Sequence, residues 1–148
     1  MGFDATEERS AECHRQGTSA VVSGCIDLLR GSRFDDALLR ALAGPAAEQV
    51  LAGQEGGKSG YWPRVWGARG LLYAWEVRAV PAIVGATTDD SWRVRQMAVN
   101  VIARHQLEDL FDAVVRLRND PVPRVRAAAE RALRTLVGSR DQELRGRS

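Results

Sequence analysis

Lysine is nearly missing from this sequence: Lys58 is the single Lys among 21 basic residues, and the rest are Arg. With so much Ala, Gly and Val beside it, that bias points to a GC-rich bacterial coding sequence before it points to a function. Cysteine is as scarce. Cys13 and Cys25 stand alone without a Cys-x-x-Cys spacing, which excludes a disulfide framework and a zinc site built on thiolates. Histidine is limited to His14 and His105, and neither His-Glu-x-x-His nor Gly-x-Ser-x-Gly occurs, so the common metallohydrolase and acyl-transfer motifs are lacking. No apolar run approaches the roughly 20 residues of a membrane span. The acidic start MGFDATEERSAE has neither the basic nor the apolar region of a signal peptide. The expectation is a chain with reduced thiols, in the cytoplasm and away from membranes. An excess of one charge is lacking too: 21 basic residues face 19 acidic ones, too even a balance to require a polyanionic partner.

What is present is the balance of a globular domain. The chain has 148 residues, 45% of them hydrophobic and 27% charged, which suits one domain and excludes wholesale disorder. The strongest signal is self-similarity. Residues 79–98 align without a gap to residues 110–129 at an offset of 31, with identities at Ala82/Ala113, Val84/Val115, Asp89/Asp120, Arg93/Arg124, Val94/Val125, Arg95/Arg126 and Ala98/Ala129. A looser earlier copy places Gly67 and Ala68 near Met97 and Ala98, and Leu71 and Leu72 near Val101 and Ile102, at an offset of 30. Within a unit, Val94, Met97, Ala98, Val101 and Ile102 recur at helical spacing, and Leu107, Leu110, Phe111, Val114, Val115 and Leu117 supply a second helix after a break at His105-Gln106. Pro123 suits the first turn of the next helix, and Gly138 is a plausible stop for it. One such helix pair cannot bury its own apolar face, so the units must stack.

The pattern Asp-x(4)-Val-Arg-x-x-Ala-Ala-x-x-Ala-Leu, met in full by Asp120, Val125, Arg126, Ala128, Ala129, Ala132 and Leu133 and conservatively by Asp89 to Ile102, resembles that of HEAT repeats, especially the short type also called phycobilisome-lyase HEAT-like. The resemblance implies an all-α fold, an α-solenoid of stacked antiparallel helix pairs. It places the repeats at 61–138, in units 62–91, 92–122 and 123–138, with a tail at 139–148. It also implies a structural role for Asp89, Arg95, Asp120 and Arg126, as residues that hydrogen-bond between neighbouring units. It implies little about function, since such repeats serve adaptors, chaperone-like lyase subunits and a few enzymes.

Residues 1–60 read as a divergent N-terminal helical cap. Val22, Cys25, Ile26 and Leu29 form one stripe within residues 19–30, Leu38, Leu39 and Leu42 a second, and Pro45 opens a short helix through Val50 and Leu51. The first dozen residues and the tail are expected to fray. A Gly-rich loop at 53–60 follows. Its surroundings, AGQEGGKS, satisfy a permissive phosphate-loop pattern, but a helical segment stands where that motif needs a buried strand, and Gly60 and Pro63 stand where it needs a helix start. The reading is a flexible loop.

For function, the informative features are aromatic and basic. All four Trp and both Tyr fall between residues 61 and 92. Tyr61, Trp62, Trp66, Tyr73, Trp75 and Trp92 either fill the junction between cap and repeats or form a partly exposed anchor, since Trp, Tyr and Arg are enriched at interface hot spots. Trp62 and Trp92 read as equivalent unit starts. The candidate partner surface joins these rings to Arg69, Arg93, Arg124 and Arg131, and to the second-helix positions Arg78, Asp109, Asp112 and Arg116. From Trp92 onward there are 12 Arg against 7 Asp and Glu, the basis of an alternative reading as a nucleic-acid binder. His105 reads as a helix C-terminal cap, and Cys13-His14 lacks the fixed geometry a nucleophile needs. The expectation is a non-enzymatic interaction or adaptor module for a protein or peptide, without cofactor or metal. A chaperone-like accessory subunit, similar to bilin-lyase relatives, is a further alternative.

Overall fold

The computed structural model describes residues 5–31 and 35–146, with side chains from residue 17 onward except residue 55. Cys13 and His14 therefore lie outside the described side chains. Eight α-helices and three short 3-10 turns make up the described residues, with no strand among them. The helices are α1 (Ala5–Arg30), α2 (Asp36–Ala43), α3 (Ala46–Leu51), α4 (Trp62–Gly70), α5 (Val80–Ala86), α6 (Trp92–Arg104), α7 (Phe111–Leu117) and α8 (Pro123–Gly146).

Local chemistry sets most of their ends. Asp35 caps α2, its Oδ1 accepting from the N–H of Ala37 at 3.0 Å and of Leu38 at 3.3 Å, and so satisfies donors that the first turn leaves open. Gly44, at φ 60°, ends the same helix. α6 ends through Gln106, a non-Gly residue at φ 51°. The N–H of Leu107 then reaches back to the carbonyl of Ile102 at 3.0 Å, the bond pattern of a left-handed helix cap.

The helices form a row in which α1 packs on α4, α4 on α6 and α6 on α8. α5 seats on α6 and α7 on α8, so each second helix leans on the first helix of the following unit. One apolar core threads the row, from Val22, Cys25 and Ile26 of α1 through Ala68 and Leu71 to Val94, Ala98, Ile102, Val125, Ala129 and Leu136. A satellite cluster of Leu28, Leu39, Ala47, Val50 and Trp66 ties α2 and α3 to the N-terminal end. α1 and α4 approach closely. A Cβ added at Gly67 would lie 2.8 Å from the carbonyl oxygen of Cys25, and one at Gly70 2.5 Å from the Cys25 sulfur. Burial pushes the Cys25 thiol up to about 11, which keeps it protonated and unreactive.

Several expectations change. α1 begins at Ala5, so the described part of the first dozen residues is helical. α8 runs through Gly138 to Gly146, and there is no stop and no separate tail before that point. A single Gly inside a helix costs only about 1 kcal/mol against Ala, and Leu136, 1% exposed, anchors the turn just before it. The Gly-rich stretch forms a 3-10 turn, Gln54–Ser59, that follows helix α3. Gly53, Gly56 and Gly57 supply its positive φ angles, and Lys58 Nζ sits 3.1 Å from Asp36. Glycine here serves backbone geometry, and the strand that a phosphate loop needs is replaced by a helix.

Candidate partner-binding edge

A ladder of ion pairs fixes the register of the units. Arg64 grips Asp89 with two bonds, Nε to Oδ2 at 2.8 Å and Nη2 to Oδ1 at 3.2 Å. Arg95 grips Asp120 in the same way, at 2.7 and 3.1 Å. Arg95 Nη1 also donates to the carbonyls of Asp89 and Asp90, at 2.8 and 3.1 Å, and Arg126 Nη1 to those of Asp120 and Pro121, at 2.7 and 3.1 Å. Each Asp additionally accepts from a backbone N–H two residues ahead, Ser91 or Val122, which locks the turn before the next helix. Burial works against the charge on Asp120, yet its carboxyl titrates below the usual range. The Arg95 hydrogen bond, the Val122 N–H and the charges of Arg95 and Arg126 outweigh the desolvation.

The ladder corrects the alignment of the earliest unit. Arg64 and Arg95 each grip an Asp at an offset of 31, and Arg126 repeats the carbonyl contacts of Arg95 at the same offset, so the offset of 30 does not hold. At 31, buried Gly67, Ala68, Gly70 and Leu71 fall on buried Ala98, Val99, Val101 and Ile102. Tyr61 then answers to Trp92, and Trp62 to Arg93 and Arg124. Trp62 and Trp92 are therefore not equivalent. Arg64 belongs with the inter-unit residues, and the paired separation Arg64/Asp89 and Arg95/Asp120 was the signal that would have found it.

That register builds one continuous edge at the N-terminal ends of α4, α6 and α8. Trp62 stacks on Trp66 with centroids 5.9 Å apart and meets Tyr61 at 5.2 Å. The Arg93 guanidinium lies 5.2 Å from the Tyr61 ring, 5.6 Å from Trp62 and 4.5 Å from Trp92. Arg124 lies 5.6 Å from Trp92. Guanidinium carbons within about 6 Å of ring centroids gain cation–π attraction, so the edge is held as a stack of rings and cations. Arg124 is exposed, and Tyr61, Trp62, Trp92 and Arg93 are half-buried. Trp66 departs from the expected surface: it is 5% exposed and belongs to the satellite core. Its ring holds Trp62 from below and is not available to a partner.

The remaining candidates stand elsewhere. Arg69 is exposed at the C-terminal end of α4, and Arg131 is exposed about two turns along α8. Arg78 is engaged inside the molecule, with Glu76 at 2.9 Å and with the Ser19 carbonyl and the Ser23 hydroxyl at 2.8 Å. It ties α1 to the turn before α5, a structural job its position in the sequence did not reveal. Asp109, Asp112 and Arg116 are exposed on α7 and the turn before it, and do not join the aromatic edge. His105 closes α6 as expected, but it is also an inter-unit tie. Its ring stacks on Trp75 at 4.5 Å, and Nε2 donates to the Leu71 carbonyl at 2.6 Å.

Among the described residues no group of three or more His, Cys, Asp or Glu is placed to hold a metal ion. No described helix is long and apolar enough to cross a membrane. Residues 63–134 match the family model described as HEAT repeats. No curated protein and no solved structure matches the chain.

Proposed function

The chain belongs to the HEAT-repeat family, and from that premise we propose that it is a non-catalytic interaction module whose contact surface is the edge of Tyr61, Trp62, Trp92, Arg93 and Arg124. HEAT repeats are commonly protein-interaction modules. The observation that carries the reading is Arg93 held against three rings, with Arg124 flanking Trp92 on the open side. A rigid patch of Trp, Tyr and Arg loses little side-chain entropy on binding and has the composition of an interface hot spot. The partner it suits is a cytoplasmic protein or peptide that brings an apolar side chain flanked by carboxylates.

Single-stranded nucleic acid is the second reading, favoured by the alternation of rings and guanidinium groups. The rings are already engaged within the molecule, Trp62 on Trp66 and Trp92 with two Arg, which leaves less ring face for bases and favours the protein partner. A photo-crosslinking residue at position 92, in the full chain inside cells, tests the edge against the same residue at exposed position 127. A discrete adduct from 92 that disappears with Arg93→Glu is the expected result. Identical adducts from both positions would remove the edge as the contact surface. An oligonucleotide shift that weakens steeply with salt and needs Arg93 and Arg124 would move the reading to nucleic acid.

A further inference from the structure

The ion-pair ladder has three arginines and two aspartates. Arg64 and Arg95 each use Nη1 on carbonyls of the chain and turn the other edge of the guanidinium, Nε and Nη2, onto an Asp carboxylate. Arg126 repeats the first half of that arrangement, with Nη1 on the Asp120 and Pro121 carbonyls. Its Nε and Nη2 have no partner among the described residues. In the two filled copies the Asp comes 25 residues later, after the chain has turned back through a second helix. From Arg126 the chain does not turn back: α8 continues straight to Gly146. The two filled copies define what this fork accepts, a carboxylate locked by its own backbone in the turn ahead of a helix.

The face around the fork has room for an incoming helix. Val99 of α6 is fully buried, and its equivalent in α8 is exposed Glu130. α8 has α6 and α7 where α6 has α4 and α5, so the neighbour it lacks is the one that α8 itself provides to α6. The outer face of α8 is thus open among the described residues, and it mixes polar side chains with exposed Val137. Arg126 and Arg134 stand along it together with Glu130 and Asp141, and Glu130 is drawn to Arg118 at 3.3 Å. A groove of about 500 Å³ runs past Leu133, Val137 and Gly138 on the same helix, beside Arg118 and Arg134.

We propose that the Arg126 fork is a carboxylate socket, and that it takes the Asp-headed turn of a helix from a partner protein, laid along α8 as α8 is laid along α6. The apolar side chains of that helix sit over Leu133 and Val137, and a carboxylate on it meets Arg134. The socket is separate from the aromatic edge: it uses a different face of α8 and needs neither Trp92 nor Arg93.

The test uses the full chain and a fluorescein-labelled synthetic peptide of about 18 residues, long enough to become helical. The peptide is an Asn-Asp-Pro turn followed by a Glu-, Ala- and Leu-containing helix, and it is compared with a twin carrying Asn in place of the Asp. Fluorescence anisotropy at low salt should show the twin binding about tenfold or more weakly, because the bond lost is a charge-assisted, two-pronged one. Arg126→Gln should give the same loss, and Arg126→Lys, which keeps the charge without the fork, most of it, whereas Trp92→Ala should leave binding unchanged. A second readout needs no variant. In side-chain NMR of the free protein the Nε–H of Arg126 should exchange with water faster than those of Arg64 and Arg95, and should slow on adding the peptide. Equal binding of both peptides, undiminished binding by Arg126→Gln and Arg126→Lys, or an Arg126 Nε–H already as protected as that of Arg95, would each overturn the socket. A dimer in light scattering that dissolves with Arg126→Gln would overturn the partner helix as occupant in favour of a second copy.

Discussion

The two ends of the helix row are held by different physics. At the N-terminal end, α1 and α4 approach until only Gly fits at positions 67 and 70, and the space between α2, α3 and α4 is filled by one large ring, Trp66. At the C-terminal end, α6 and α8 meet through small and branched side chains, Ala98, Val101, Ala128, Ala129 and Ala132, and the register is set by Arg95 gripping Asp120. One end depends on volume, with large residues opposite none. The other depends on charge placed at a fixed interval. A divergent end can tolerate irregular helices because its contacts are individually shaped; a repeated end cannot, since each unit must fit the one before it.

Substitutions can break that contrast. Trp66→Ala should have the largest effect, about 3–5 kcal/mol of stability lost in urea unfolding, because a buried ring leaves a cavity among Leu28, Leu39 and Val50. Asp120→Asn should follow at about 2–4 kcal/mol, since it leaves Arg95, whose side chain is 14% exposed, without its counter-charge. If Asp120→Asn cost more than Trp66→Ala, the two ends would have exchanged their physics. Gly67→Ala should cost about 1–3 kcal/mol through overpacking against the Cys25 carbonyl, while the equivalent residue of the next unit is already Ala98.

Acid sharpens the same contrast. Asp120 titrates lower in the folded chain than unfolded, so its contribution is present above the unfolded value of about 4 and is lost as pH falls through the folded value. The stability gap between the native chain and Asp120→Asn should therefore close as pH drops below about 4, whereas the gap for Trp66→Ala should not follow that titration. Smallest of all, Trp92→Ala should cost about 1–2 kcal/mol, from two cation–π contacts and the packing of a half-buried ring, while removing the proposed partner contact.

Much of the repeated end was legible in the sequence. A constant offset of 31 marks residues whose surroundings recur, so Val94, Ala98 and Ile102 could be assigned to one buried face and Asp120-Pro121 to a turn before any coordinates. The earliest unit slipped by one residue because Gly67 and Gly70 stand where apolar side chains recur later, which weakens the periodic signal that an alignment follows. Arg64 carried the missing information, but a lone Arg-to-Asp separation of 25 stands out only once its second instance is known to be a bond. Trp66 and Trp92 could not be told apart: both are Trp near a helix start, and only the position of α2 and α3 decides which ring is enclosed. The length of α8 was missed for a related reason, since Gly138 reads as a stop whenever its cost is considered without the buried anchor Leu136. For the edge, composition named a wider set of rings and cations, and geometry brings together Tyr61, Trp62, Trp92, Arg93 and Arg124 but not Trp66, Arg69, Arg78 or Arg131.

The seating of α5 on α6 and of α7 on α8 bears on how such a chain can change in length. A tandem duplication of the 31 residues from Trp92 to Val122 would regenerate each lateral contact, because the duplicated Asp would meet the preceding Arg and the duplicated second helix would find a first helix to lean on. Insertion of part of a unit, carrying the Arg-bearing helix without the Asp-headed turn that follows it, would leave one Arg without its Asp. The gene is thus free to lengthen by whole units and strongly constrained against fractions of them.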